Sequence, residues 1–203
     1  LQLNCRVNSH GIKLKSPPHS AGATYTLTFP NSVTADKFLK TDGSGNLSFA
    51  NAGIFESQLL HIRDEKANNT DGGSCTGGSW NTRVLNTILT NEITSASLSS
   101  NQITLPSGTY FIISHAPAYV CGRHKAKLRN ITDSSDTLIG TSEYSIGQAQ
   151  SISFISGRFT IASSKTFEIQ HYPTSTVATN GFGVKTIASV VEVYTNVQIW
   201  KVA

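Results

Sequence analysis

The chain has no methionine, only three cysteines and charged residues at just 14% of its 203 positions. Each scarcity closes off a class of function. No apolar run reaches the roughly 18 residues a membrane-crossing helix needs, so membrane insertion is not expected. Cys5, Cys75 and Cys121 form an odd, widely spaced set without a CxxC pair. That removes a disulfide framework and a zinc motif, and free thiols made in a reducing cytoplasm are the expectation. The basic excess is small, 16 Lys and Arg against 12 Asp and Glu for a net +4, and no basic run exists, so nucleic-acid binding is not indicated. The start at Leu1 lacks the basic and apolar regions of a signal peptide. With no methionine anywhere, the expectation is a segment of a longer polypeptide or a trimmed N-terminus.

What the chain does have is Ser, Thr, Asn and Gly in abundance and more β-branched residues than good helix formers, the composition of a turn-rich all-β protein. The first fifty residues differ in texture from the rest. Short alternating pieces around Leu1, Leu3 and Cys5 and around Ile12 and Leu14 are broken by Gly11 and Pro17-Pro18. Tyr25, Leu27 and Phe29 then share one face of YTLTFP. The pairs Asp42-Gly43 and Gly45-Asn46 predict a hairpin turn between Phe38-Leu39 and Leu47–Phe49. This predicts an N-terminal segment, 1–54, of short strands and a hairpin with too little apolar content to fold alone.

Residues 55–203 are predicted to be the main domain. Residues 53–62 read as a linker passing into its first strand, or as a short helix. Arg63 to Asn91 reads as a long glycine-containing loop or extended arm. Strand signals then recur near Ala96–Leu98, Gln102–Leu105, Gly108–His115, Lys125–Asn130, Thr137–Glu143, Gln150–Ile161, Lys165–Tyr172 and Val190–Lys201, the spacing of a sandwich or barrel. In the last of these the alternation slips, which predicts a bulge or burial on both faces. The stretch from Gly108 to Ile131 organises the domain. Apolar residues on both faces of Tyr110–Ser114 predict a buried strand, while Lys125, Lys127 and Arg129 alternate with Ala126, Leu128 and Asn130 and predict a half-exposed one.

Candidate sites follow from residue type. Tyr110 and Phe111 are adjacent and so face opposite ways; in a single sandwich one of them needs a second apolar environment, which another subunit supplies. Tyr110, Phe111, Tyr119 and Tyr194 are therefore the predicted oligomer interface. His61, His115, His124 and His171 are read as hydrogen-bonded core or interface residues rather than metal ligands, since no two stand at i, i+2 on a strand. Asp71-Gly72-Gly73 reads as a glycine turn rather than a calcium loop. Lys125, Lys127 and Arg129 read as a solvated strand face, with an anionic glycan as the alternative partner. No GxSxG occurs and no spacing pairs two carboxylates, so neither catalytic residues nor a cofactor are expected.

Taken in order, the run Arg63–Thr87, GTYFI (108–112), HKAKLRNIT (124–132), IGTSEYS (139–145), SGRFTI (156–161), TFEIQH (166–171) and EVYTNVQIWK (192–201) resemble the C1q/TNF-like jelly-roll domain of phage and other virus fibre proteins. The likeness covers about residues 55–203. Separately, LKTDGSGNLSF, within Lys37–Phe49, resembles the short repeat of phage tail-fibre and head-fibre shafts. The resemblance implies a jelly roll of about ten strands, trimeric about a three-fold axis and carried on a virion assembled in the host cytoplasm. It implies a binding module, with no binding residue transferable because the recognition loops of such families vary freely. The expected function is a non-enzymatic trimeric fibre that meets a host-surface glycan or protein, through loops such as Asn130–Thr137 and Pro173–Gly183, and other virion proteins through 1–54. A capsid decoration or cement trimer is the alternative, and a glycan depolymerase ranks last.

Overall fold

The structure, a computed structural model, describes residues 2–4, 11–13, 18–22, 24–35, 37–50 and 58–202. Contacts divide the chain into two units, Leu1–Glu56 and Ser57–Ala203.

In the first unit, β1 (Gln2–Asn4) pairs antiparallel with β2 (Gly11–Lys13), a 3-10 turn spans His19–Ala21, and β3 (Phe38–Thr41) pairs with β4 (Leu47–Ala50). The β3–β4 hairpin is the one the glycines predicted. Asp42 holds its turn: Oδ1 accepts from the amides of Ser44 (2.8 Å) and Asn46 (3.1 Å), and Oδ2 from Asn46 Nδ2 (2.7 Å). Gly43 and Gly45 take the positive φ values, 85° and 95°, that such a turn demands. Cys5 and much of the linker at 53–57 lie outside the described residues.

The second unit is built from β5 (Gln58–Lys66), β6 (Asn81–Thr82), β7 (Thr87–Asn91), β8 (Ser97–Ser99), β9 (Gln102–Leu105), β10 (Gly108–Tyr119), β11 (Gly122–Asn130), β12 (Ser135–Ser145), β13 (Gln150–Ile161), β14 (Lys165–Pro173) and β15 (Glu192–Lys201). Two sheets form, one ordered β13-β10-β15-β5-β7 and the other β12-β11-β14-β9-β8, with β6 added against β14. Strand pairs are antiparallel throughout. The chain crosses from one sheet to the other after β5, β6, β7, β9, β10, β12, β13 and β14, whereas β8–β9 and β11–β12 are hairpins within one sheet. That alternation, which places β15 between β10 and β5 and β14 between β11 and β9, is jelly-roll order. The all-β jelly-roll sandwich expected from the sequence is the observed architecture.

The core fills by simple alternation. Tyr110, Ile112 and Ala116 of β10, Val197 and Ile199 of β15, Leu60 and Ile62 of β5 and Ile155 of β13 meet Ala126 and Leu128 of β11, Phe167 and Ile169 of β14 and Ile103 and Leu105 of β9, all fully buried. One edge of the sandwich closes where β12 meets β13. Gly140 lets the backbones approach, because a Cβ there would lie 2.7 Å from the Phe154 carbonyl oxygen. Ser153 is buried at that seam because its Oγ accepts from the Ala126 amide and donates to the Thr141 carbonyl, both at 2.8 Å.

β10 and β11 are consecutive but do not pair; a turn through Val120-Cys121 sends them to opposite sheets. Two expectations change. Residues 58–66 are a long strand rather than a linker or helix, and the presumed arm from Arg63 to Asn91 contains the end of that strand plus β6 and β7. Of the two explanations for the slip in β15, the bulge is the one observed: register shifts between Val193 and Asn196, leaving Val191 and Val193 exposed while Thr195, Val197 and Ile199 are buried.

Candidate functional site

Each sheet turns one face to the core and one outward, and the two outward faces have different chemistry. On the β10 sheet, Phe111, Ile113 and His115 alternate with the core residues and so point out. Register puts Phe111 opposite Trp200 of β15, and His115 opposite Phe154 of β13. The Phe111 and Trp200 rings stand 6.3 Å apart, and His115 meets Phe154 edge-on at 4.8 Å. Phe111, Phe154 and Ile152 are 36%, 44% and 37% exposed. Polar side chains lie alongside on β15 and β5: His61 bonds Asn196 at 2.7 Å, and Arg63 Nε donates to Glu65 at 2.8 Å. An aromatic centre with a polar border is the composition of a subunit interface.

The four predicted interface residues separate here. Phe111 lies on this face, and Tyr119 ends the same row half-buried. Tyr110 and Tyr194 do not. Tyr110 is fully buried, stacks on Phe159 and donates its hydroxyl to the Pro106 carbonyl at 2.6 Å; Tyr194 is buried and donates to the Thr70 carbonyl at 2.6 Å. Burial pushes both phenols up to about 12. They belong to the subunit's own interior. Trp200, Phe154 and Ile152 take their place on the outward face. The signal for Phe154 is in SISF, where serines at 151 and 153 alternate with large apolar residues and the serines face inward.

The outward face of the β11 sheet is charged and already paired. Lys127 reaches Asp136 at 2.9 Å, and Arg129 reaches the same carboxylate at 2.8 Å. The Lys127 hydrogen bond, with Arg129 behind it, holds Asp136 below the usual carboxylate range. Lys127 is not solvated as expected; it is 5% exposed, its Nζ 3.9 Å from the centre of the Trp80 ring. Trp80 in turn packs edge-on against Tyr172 at 5.4 Å. Trp80 comes from the loop before β6, and its placement could not be read from the strand pattern. Burial works upward on Glu168, but hydrogen bonds from Gln102, Thr82 and Gln170 outweigh it and hold the carboxylate low.

Beside this aromatic pair lies an open groove of about 960 Å³, lined by Trp80, Tyr172, Tyr144, Arg123, Lys125 and Glu143 among others. Aromatic faces, two cations and a carboxylate in a wide cleft suit reversible binding. Thr174 brings the segment after β14 to the rim. Asn130–Thr137 is at the other end of the sheet, since His124 registers with Pro173 and Asn130 with Phe167, a span of roughly 20 Å along the strand. The two loops named as candidates for binding therefore sit at opposite ends.

Between the sheets, behind the groove, are polar residues the sequence did not bring together. His124 Nδ1 and His171 Nε2 lie 2.9 Å apart, so one imidazole donates to the other, and His124 Nε2 meets Ser151 Oγ at 2.7 Å. Burial depresses His124 to about 4 and His171 well below its ordinary value. Among the described residues no group of three His, Cys, Asp or Glu side chains stands close enough to hold a metal ion. Arg83, wholly buried, donates to Thr195 Oγ1 (2.7 Å), the Pro117 carbonyl (2.9 Å) and the Phe182 carbonyl (3.1 Å) and lies over the Phe182 ring at 4.0 Å. Desolvation lowers its pKa to about 9. It ties the segment between β14 and β15 to β10 and β15. The Asp71-Gly72-Gly73 turn packs on that segment, with Gly73 at φ 109°.

No family model matches the chain, and neither does any curated protein. Solved structures similar to it include the globular domain of the zebrafish complement 1qA protein, at 14% identity and TM-score 0.45, covering 73% of this chain and 98% of that one. Another is murine APRIL at pH 5.0, at 7% identity and TM-score 0.49, covering 72% of this chain and 99% of that one. The jelly-roll assignment stands on the strand order.

Proposed function

We propose that this protein is a non-enzymatic virion component, a homotrimeric fibre whose jelly-roll unit forms the head and whose first unit joins it to other virion proteins. The observation that carries the reading is the outward aromatic face of the β10 sheet. A solitary sandwich gains nothing by presenting Phe111, Phe154 and Ile152 together. Covering them with further copies of the chain returns about 25 cal/mol for each Å² of apolar surface removed from water. The three-fold count and the virion setting are supported by the likeness of 55–203 to virus fibre heads and of LKTDGSGNLSF to fibre shafts. The open groove by Trp80 supports reversible binding to a host-surface glycan or protein.

A second reading, a capsid-decorating trimer, is favoured by the first unit, where Tyr25, Phe29, Val33 and Phe38 are all more than 60% exposed. Apolar side chains without cover suit an arm that adds to a neighbouring shell protein. Glycan cleavage needs two facing carboxylates, and among the described residues Glu143 is the one carboxylate lining the groove.

Electron microscopy of intact particles labelled with an antibody against this chain tests the reading. Label at projecting fibre tips is expected. Label spread over the shell selects decoration, and particles that carry no label overturn both.

A further inference from the structure

Cys75 and Cys121 are the strongest chemical feature that the proposed function leaves unused. Cys75 lies in the loop after β5 and Cys121 in the turn between β10 and β11. Both are free and buried, 2% and 0% exposed, yet their sulfurs are 2.9 Å apart. That is about 0.9 Å beyond a covalent S–S bond. The backbones are already fixed in place. Cys75 exchanges two hydrogen bonds with Val177, at 2.9 and 3.0 Å; the Cys121 carbonyl accepts from the amide of Ser175 at 3.0 Å; and Cys121 Sγ contacts the Gly181 carbonyl at 3.0 Å. Gly181 leaves room for the pair, since a Cβ there would sit 2.5 Å from Cys75 Sγ. The hydrogen bond from Cys121, aided by the Val177 amide and the nearby Arg83 charge, brings the Cys75 thiol down to about 7 against the opposing effect of burial. Hydrogen bonding to Cys75 pushes the Cys121 thiol up.

We propose that Cys75 and Cys121 are a disulfide-forming pair, oxidised by a small-molecule disulfide such as glutathione disulfide when the folded chain leaves a reducing medium. Cys75 thiolate attacks one sulfur of the oxidant; that S–S bond breaks and one glutathione thiolate departs. Cys121, giving up its proton, then attacks the Cys75 sulfur and displaces the second glutathione. Two protein thiols are oxidised to one disulfide, one glutathione disulfide is reduced to two thiols, and the two protons end on the released glutathione. The bond joins two segments at one end of the sandwich, the loop after β5 and the β10–β11 turn, and the segment after β14 is hydrogen-bonded to both through Val177 and Ser175. It fixes the Pro173–Gly183 loop beside the groove without adding a contact.

The test equilibrates the reduced full-length chain in glutathione redox buffers, traps free thiols with an alkylating agent and maps the peptides by mass spectrometry. The expected result is loss of two thiols in one step, the mass of two hydrogens, and a linked peptide joining Cys75 to Cys121. Closing a loop of this length raises the melting temperature by on the order of 10 °C, reversibly with reductant. Cys75→Ser and Cys121→Ser each abolish that shift, while Cys5→Ser keeps it. Both thiols remaining alkylatable after unfolding under oxidising glutathione overturns the proposal, as does a cross-link through Cys5 or between chains. The wild-type mapping decides the matter even where a variant folds poorly.

Discussion

The two outward sheet faces of the jelly roll obey opposite rules. On the β11 sheet, Lys127, Arg129 and Asp136 form an ion-paired surface, and Trp80 covers the lysine. On the β10 sheet, Phe111, Trp200, Phe154 and Ile152 gather where a two-layer sandwich would carry polar side chains. One core needs only one apolar face per sheet. On the proposed reading, a second apolar face on one sheet and not the other marks that sheet for a third layer and leaves the charged sheet to water and ligand.

Breaking the apolar face has the largest effect. Phe111→Asp combined with Phe154→Lys places charges at the centre of the proposed contact. We expect the assembly to fall to single chains at micromolar concentration with the far-ultraviolet circular dichroism unchanged, because both side chains are partly exposed in the subunit. Sedimentation velocity reads the outcome, and an intact assembly would place the contact elsewhere.

Acid attacks the layer between the faces. His124 is depressed by burial to about 4, and His171 in the same direction. Between their ordinary value near 6.5 and about 4, the unfolded chain takes up protons that the folded chain refuses. Stability therefore falls as pH drops through this window, by roughly 3 kcal/mol from His124 alone. Urea titrations at pH 7, 5.5 and 4 measure the loss, and stability that stays flat from pH 7 to 4 would contradict the burial.

How much of this was legible in the sequence depended on what each residue needed from its neighbours. Period-two alternation with turn residues between gave β9, β13 and the β3–β4 hairpin to the residue or nearly so, because those signals are local. The adjacent Tyr110 and Phe111 declared that β10 has two apolar faces, but not which ring points inward. That choice depends on the opposite sheet, where Phe159 and the Pro106 carbonyl receive Tyr110. Lys127 read as solvated because nothing near it in sequence reveals that Trp80, from a distant loop, lies over it. The same limit hid the cysteines: 46 residues apart, they are joined only by the jelly-roll crossovers that bring the loop after β5 to the β10–β11 turn.

Lighter changes on the charged face sharpen the contrast. Lys127→Ala removes an ion pair and the contact with Trp80, and should cost about 1–2 kcal/mol of folding stability by denaturant titration while leaving the assembly whole. Tyr144→Ala alters an exposed ring at the groove. It should change stability by no more than about 0.5 kcal/mol and weaken binding to host-surface material in a pull-down without affecting assembly. Loss of assembly in either variant would mean that the two faces have been assigned the wrong way round.

The most direct measurement is the mass of the intact full-length protein in solution at micromolar concentration, by light scattering. A closed third layer on the β10 sheet predicts one species at three times the chain mass. A single species at the mass of one chain would contradict it.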